Sequence, residues 1–164
     1  LGHREFAMIA GSTAGNDRQQ ARIAAYRDMI AKAGANGKDR VYCHEFEMRG
    51  GANVMKQILR DHPETTAVIC NSDVFAIGAM SACRKLGLRV PEDISIVGCD
   101  DFDFAELLEP PLTTIAVPAA EMGAIAAQAL WEAVARQRPV VAQDVATRLV
   151  VRGSTAPPGA WNVT

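Results

Sequence analysis

Aromatic residues make up only 5% of this 164-residue chain, and basic residues (17 Lys and Arg) do not outnumber acidic ones (19 Asp and Glu). With a formal net charge of −2 there is no cationic surface to follow a phosphate backbone. With so few rings, base stacking is not the main business of the chain either. Cysteine is sparse: Cys43, Cys70, Cys83 and Cys99, with no C-x-x-C pair and no histidine at zinc-finger spacing. Cys70 and Cys99 end apolar runs, where a free thiol packs as a small hydrophobe. All four are therefore read as structural thiols in a reducing, cytoplasmic compartment. No run of about 18 apolar residues is present, so no transmembrane helix is expected. The first residues, LGHREFAMIAG, lack a signal-peptide layout and open almost at once on a strand, as a piece of a longer protein would.

Enzyme signatures are scarce as well. The chain has no G-x-G-x-x-G, G-x-x-x-x-G-K-[ST], G-x-S-x-G or H-E-x-x-H, and its three histidines (His3, His44, His62) are scattered. We expect no enzyme, no cofactor and no metal. Asp100, Asp101 and Asp103 are the one group that suggests a hard cation, but they supply fewer oxygens than calcium takes and form no EF-hand loop.

Among what is present, 49% hydrophobic residues fall into short apolar runs that alternate with helical patterns. Phe6–Ala10, Val41–Cys43, Ala67–Cys70, Ile94–Val97, Thr113–Val117 and Thr147–Val151 read as strands. Ile23, Tyr26 and Ile30 mark a first helix, capped by Asn16 or Asp17 and stopped near Gly34. Gly50-Gly51 reads as a loop before a helix carrying Val54, Met55, Ile58 and Leu59, ended by Pro63. Asp73 is placed to cap a helix over 74–86, stopped by Gly87, and an Ala-rich helix runs over about 119–135. Residues 156–164, with Pro157-Pro158, look like a flexible tail.

The fold class is therefore α/β, a parallel sheet with helices on both faces. Such sheets bind ligands beyond the carboxyl ends of their strands, where this chain puts Asn71-Ser72-Asp73 and Asp100-Asp101. An ionised carboxylate there only accepts hydrogen bonds, which suits ligand hydroxyls. Two candidates carry open alternatives. Arg22 is either a solvated arginine on the first helix or a fork that grips a ligand. Phe46 is either a core residue or a stacking platform.

Several stretches together resemble a known family. They are Gly2-His-Arg4 before a strand, Arg22-Ile-Ala-Ala-Tyr26, Ser72-Asp-Val-Phe-Ala-Ile-Gly-Ala79, Gly87-Leu-Arg-Val-Pro-Glu-Asp-Ile-Ser-Ile-Val-Gly-Cys-Asp-Asp101, Pro110-Pro-Leu-Thr-Thr-Ile115 and Leu149-Val-Val-Arg-Gly-Ser-Thr155. In order and spacing this resembles the effector half of the lactose/galactose-repressor (LacI/GalR) transcription factors, over residues 2 to about 155. The resemblance implies the C-terminal lobe of a periplasmic-binding-protein-like (type I) fold, with residues 1–155 as an effector-binding and dimerising lobe. It implies ligand contacts from Arg22, Asp100 and Phe46. Ser72 stands where the family often has Asn, with shorter reach for the same polar role. Ala25 stands where the family usually has Gly.

It further implies a small-molecule effector, a sugar or sugar derivative, bound by a cytoplasmic homodimer with no membrane contact. Operator DNA would be read only through a headpiece that this chain lacks. The helix over 119–135 would belong to a missing first lobe. Its apolar stripe (Met122, Ile125, Ala126, Ala129, Leu130, Val134) is expected to self-associate, swap, or fold back on its own lobe. An exported sugar-binding protein of a transporter, with the same fold, is the alternative.

Overall fold

The computed structural model describes residues 1–137 and 139–159. Six strands form one sheet in the order β2-β1-β3-β4-β5-β6. They are β1 (Phe6–Gly11), β2 (Val41–His44), β3 (Ala67–Cys70), β4 (Ser95–Asp100), β5 (Thr113–Ala116) and β6 (Arg148–Val150). The first five run parallel, and β6 returns antiparallel along the edge of β5. Between them lie α1 (Asp17–Lys32), α2 (Met48–Asp61), α3 (Asp73–Lys85), a short 3-10 turn (Asp103–Leu107) and α4 (Ala119–Arg136).

Strand β1 shows why both faces are covered. Successive side chains point to opposite faces. Ala7 and Ile9 enter a cluster with Val54, Met55 and Ile58 of α2 and Phe75, Ala76 and Ala79 of α3. Met8 and Ala10 enter a second cluster with Ile23, Tyr26 and Ile30 of α1. Asn16 caps α1 by accepting the Gln19 amide at 3.1 Å, and Gly34 and Gly87, at φ 59° and 78°, follow the ends of α1 and α3.

Gly50 and Gly51 are not a loop but the first turn of α2, both buried. Packing overrides their poor helix propensity. A Cβ at Gly51 would strike the backbone of Phe75 on α3, and one at Gly78 of α3 would strike the Met48 carbonyl of α2. Glycine on both helices lets the two backbones touch.

Helix α4 does not fold back on the lobe. None of its side chains is buried, and it joins neither apolar cluster, which α1, α2 and α3 already cover. Met122, Leu130, Trp131 and Val134 stand exposed, as do Val140 and Val141.

The segment after β6 is held down through Ala156, short of the tail expected over 156–164. Ser154 is fully buried, donates to the Ile96 carbonyl at 2.6 Å and accepts the Thr113 amide at 2.9 Å. The Ala156 carbonyl accepts from Ser95 Oγ at 3.1 Å and from His3 at 2.8 Å. Residues 160–164 of that expectation lie outside the described residues.

His3 therefore clasps three segments, since its other ring nitrogen meets Thr66 Oγ1 at 2.9 Å. Burial holds its pKa below the usual 6.5, opposed by the bond to Ala156 and reinforced by the nearby N-terminal charge. An imidazole with a depressed folded pKa binds fewer protons than its unfolded counterpart near pH 6. Its stabilising contribution is thus present above about 6.5 and lost as pH falls through the folded pKa. Denaturant melts between pH 7 and 5 should show stability falling, with a shallower slope in His3→Gln. An unchanged slope would sink this assignment.

Candidate functional site

The chain steps from β1 outward to β2, then back across to β3. The strand order therefore reverses between β1 and β3, and beyond the carboxyl ends at such a reversal is the crevice in which open α/β sheets bind ligands. Five residues converge there from three elements. On α1, Gln19 and Arg22 are three residues apart and so share a face. Arg22 Nη1 donates to the Asn71 carbonyl at 3.1 Å, and the Asn71 side-chain amide donates to Gln19 Oε1. Next along the chain, Ser72 Oγ donates to Asp100 Oδ2 at 2.8 Å. Arg22, Asn71, Ser72 and Asp100 thus form one connected polar rim.

Ser72, not Asp73, is the N-cap of α3. Its backbone is extended, and Oγ accepts the Val74 amide at 3.3 Å. Asp73 is the first residue inside the helix, and its carboxylate turns inward, fully buried. Oδ1 accepts from Thr114 Oγ1 at 2.6 Å, and Oδ2 accepts the Phe102 amide at 2.9 Å. Burial raises its pKa above the usual carboxylate range; the two hydrogen bonds oppose the shift, and the charge of Asp100 adds to it. Asp73 is thus an internal post that holds the loop after β4. The difference from the sequence expectation is one residue, but a cap is defined by backbone angles, which neighbouring polar residues do not reveal.

The loop it holds is strained. Asp100 and Asp101 both have positive φ, 118° and 58°. For non-glycine residues each such conformation costs on the order of 1–3 kcal/mol and persists only where the surroundings enforce it. Here the reversal presents the Asp100 carboxylate to the crevice instead of letting β4 run on.

Phe46 lies just past β2, on the same rim but outside the hydrogen-bonded set. It is 58% exposed and meets Phe75 edge-on, with centroids 5.5 Å apart at 78°. Phe75 of the core thus props the ring on one side and most of it is open, as a stacking platform requires.

Of the candidate residues, Arg22, Ser72 and Asp100 come together, and Phe46 stands apart from them on the rim. Sequence reasoning missed Gln19 and Arg152. Gln19 carried a signal in its i, i+3 relation to Arg22. Arg152 lies in the Leu149–Thr155 stretch, but nothing there points to its partner Asp101, 51 residues away.

Among the histidines, His3 is tied to Ala156, His44 to the Glu45 carbonyl, and His62 faces Glu64. Cys99 precedes Asp100, but burial pushes its thiol up to about 11, with Arg22 opposing and Asp100 adding, so it stays protonated at neutral pH. Cys70 and Cys83 are buried and free too, whereas Cys43 is exposed rather than packed. Among the described residues no group of three or more His, Cys, Asp or Glu is placed to hold a metal.

A doubly wound α/β lobe with a polar, strained corner at its topological switch point is the architecture of a small-molecule binding domain. The profile described as a periplasmic binding protein-like domain matches residues 1–155, and the chain belongs to that family. It is similar to the ribose operon repressor of Haemophilus influenzae, at 38% identity over 80% of this chain and 40% of that protein. A LacI family transcriptional regulator from Mycobacterium smegmatis superposes with a TM-score of 0.87 and 34% identity, over 96% of this chain and 59% of that one. A complex of the transcriptional regulator CelR with cellobiose does so at 0.84 and 33%, over 93% and 47%. The chain spans less than half the length of the curated relative it matches.

Proposed function

We propose that this chain is the effector-binding and dimerising lobe of a LacI-type transcription regulator, acting in the cytoplasm as a binding module and not as an enzyme. The observation that carries the proposal is the continuous rim from Arg22 through Asn71 and Ser72 to Asp100 at the β1/β3 switch point. It offers fixed donors and acceptors side by side. A sugar presents the complementary set, with hydroxyls that both donate and accept, and an apolar ring face for Phe46. The names of the ribose repressor and of the CelR–cellobiose complex support the same ligand class. The relatives favour a regulator over the transport protein.

The rim is one wall of a crevice, and the chain that crosses out through α4 supplies an apolar helix for a first lobe. An effector held between two lobes biases their relative angle, and it shifts DNA binding only by its differential affinity for the two arrangements. The operator would be read by a headpiece elsewhere in the protein. The homodimer is assigned to the outer side of α2 and α3. A groove of about 790 Å³ there is lined by Met48, Ile77 and Leu108 together with Arg84, Arg89 and Glu92. None of the helices described is long and apolar enough to cross a membrane.

Thermal melts against D-ribose, lactose, cellobiose and purine nucleosides test the reading. A ligand at 100 times its Kd adds about 2.7 kcal/mol. For a domain of this size that is a rise of roughly 5–11 °C. A sugar that raises Tm in the parent and not in Asp100→Ala supports the proposal. A flat response to every compound, in this chain and in any longer chain that carries it, removes it.

A further inference from the structure

The last residue of β4 and the two that follow it are each fastened by a different side chain. Ser72 Oγ holds the Asp100 carboxylate, and Asp73 Oδ2 holds the Phe102 amide. Asp101, between them, is held by Arg152, whose Nη2 donates to Oδ1 at 2.7 Å. Among the described residues Arg152 is the one side-chain partner of the Asp101 carboxylate. Both side chains are largely buried, at 18% and 17% exposure, so the pair is poorly screened. Arg152 Nη1 also donates to the Leu112 carbonyl at 2.9 Å, and its backbone amide donates to Thr113 Oγ1 at 2.9 Å. The guanidinium thus spans the loop after β4 and the entry to β5, a reach that needs a planar fork.

The base of the fork is itself immobile. Two residues on, buried Ser154 bonds to β4 at Ile96 and to β5 at Thr113. Arg152 sits two residues past β6, just after the strand that brings the chain back from α4. Two adjacent left-handed non-glycine residues need such an external hold. We infer that Arg152 is a positioning residue: through Asp101 it sets the aim of the Asp100 carboxylate, and it ties the strand returning from α4 to the ligand corner. The inference rests on the effector-binding reading for its purpose, but not for its geometry.

Amide hydrogen exchange on this chain tests it without a ligand. In Arg152→Met and in Arg152→Lys, which keeps the charge but not the fork, exchange at Asp101 and Phe102 is expected to rise at least 10-fold. Amides of β1 and β3 are expected to hold their rates. Asp101→Ala, which removes the same pair from the loop side, must give the same local pattern, and it serves if Arg152→Met does not fold. For whichever of D-ribose, lactose or cellobiose binds the parent, Kd is expected to rise about 10-fold in both Arg152 variants. Protected corner amides with an unchanged Kd would overturn the inference and leave the effector-binding reading standing. So would full rescue by lysine, which would show that charge alone suffices. If no sugar binds the parent while the corner amides still respond, the positioning role stands and the effector-binding reading falls.

Discussion

Gly98→Ala is expected to cost about 3 kcal/mol or more of stability, a drop in Tm of roughly 6–12 °C. Gly98 lies buried in the middle of β4, paired in register with Thr114 of β5. The Asp73 carboxylate rests on the space where a side chain would be, and an added Cβ would collide with Oδ1 and crowd Leu112 Cδ2. That same Oδ1 accepts the Thr114 hydroxyl, and its partner Oδ2 accepts the Phe102 amide. The carboxylate is short and fully buried, so it cannot swing aside without leaving buried donors unpaired, at about 1–3 kcal/mol each. The penalty should therefore depend on Asp73. In the double variant Gly98→Ala/Asp73→Ala the new methyl enters space the carboxylate has left, and the combined loss should be smaller than the sum of the two single losses. Urea melts of the four proteins measure this directly. A single-variant loss below about 1 kcal/mol, or simple additivity, would show that Asp73 is not pinned between Gly98 and Thr114.

Asp100→Gly is expected to raise the effector Kd about 100-fold while leaving stability within about 1 kcal/mol of the parent. At φ 118° the aspartate occupies a conformation that glycine adopts freely, so the substitution relaxes the backbone as it deletes the carboxylate. The lost bond from Ser72 Oγ works against that gain, but Ser72 keeps its capping bond to the Val74 amide. Hydrogen bonds to a charged group contribute about 1.5–3 kcal/mol each. Losing one or two from the ligand raises Kd by about 100-fold. Asp100→Asn keeps one acceptor and the tolerance for positive φ, and should lose less affinity. Calorimetric titration beside a denaturant melt separates the two effects. Equal loss of stability and binding would mean that Asp100 serves the fold, and unchanged binding would mean that the ligand lies elsewhere.

The alternation of strands and helices was legible because it rests on local periodicity. Ile23, Tyr26 and Ile30 recur at helical spacing, and each parallel strand is a short apolar run between turn signals. Helix ends marked by Gly34 and Gly87 were legible because a left-handed stop favours glycine whatever surrounds it. Gly50-Gly51 was misread for the opposite reason. Glycine signals a break only where nothing rewards its missing side chain, and here the close crossing of α2 and α3 does. Asp73 looked like a cap because aspartate before a helix usually is one. Its inward turn depends on Gly98 and Thr114, which lie 25 and 41 residues further on.

By itself the sequence determined the fold class and the family, and placed Arg22, Ser72 and Asp100 as polar residues where an α/β sheet binds its ligands. It could do so because strand ends, helix faces and family motifs are written in contiguous residues. Only the tertiary structure decided how those residues meet. It showed that Asn71 links Arg22 to the corner, that Asp100 and Asp101 are bent into left-handed conformations, and that Arg152 bonds to Asp101. Each of these joins residues between 28 and 51 positions apart. Such pairs are set by the order and register of the strands that carry them, and the identity of the two residues alone does not reveal them.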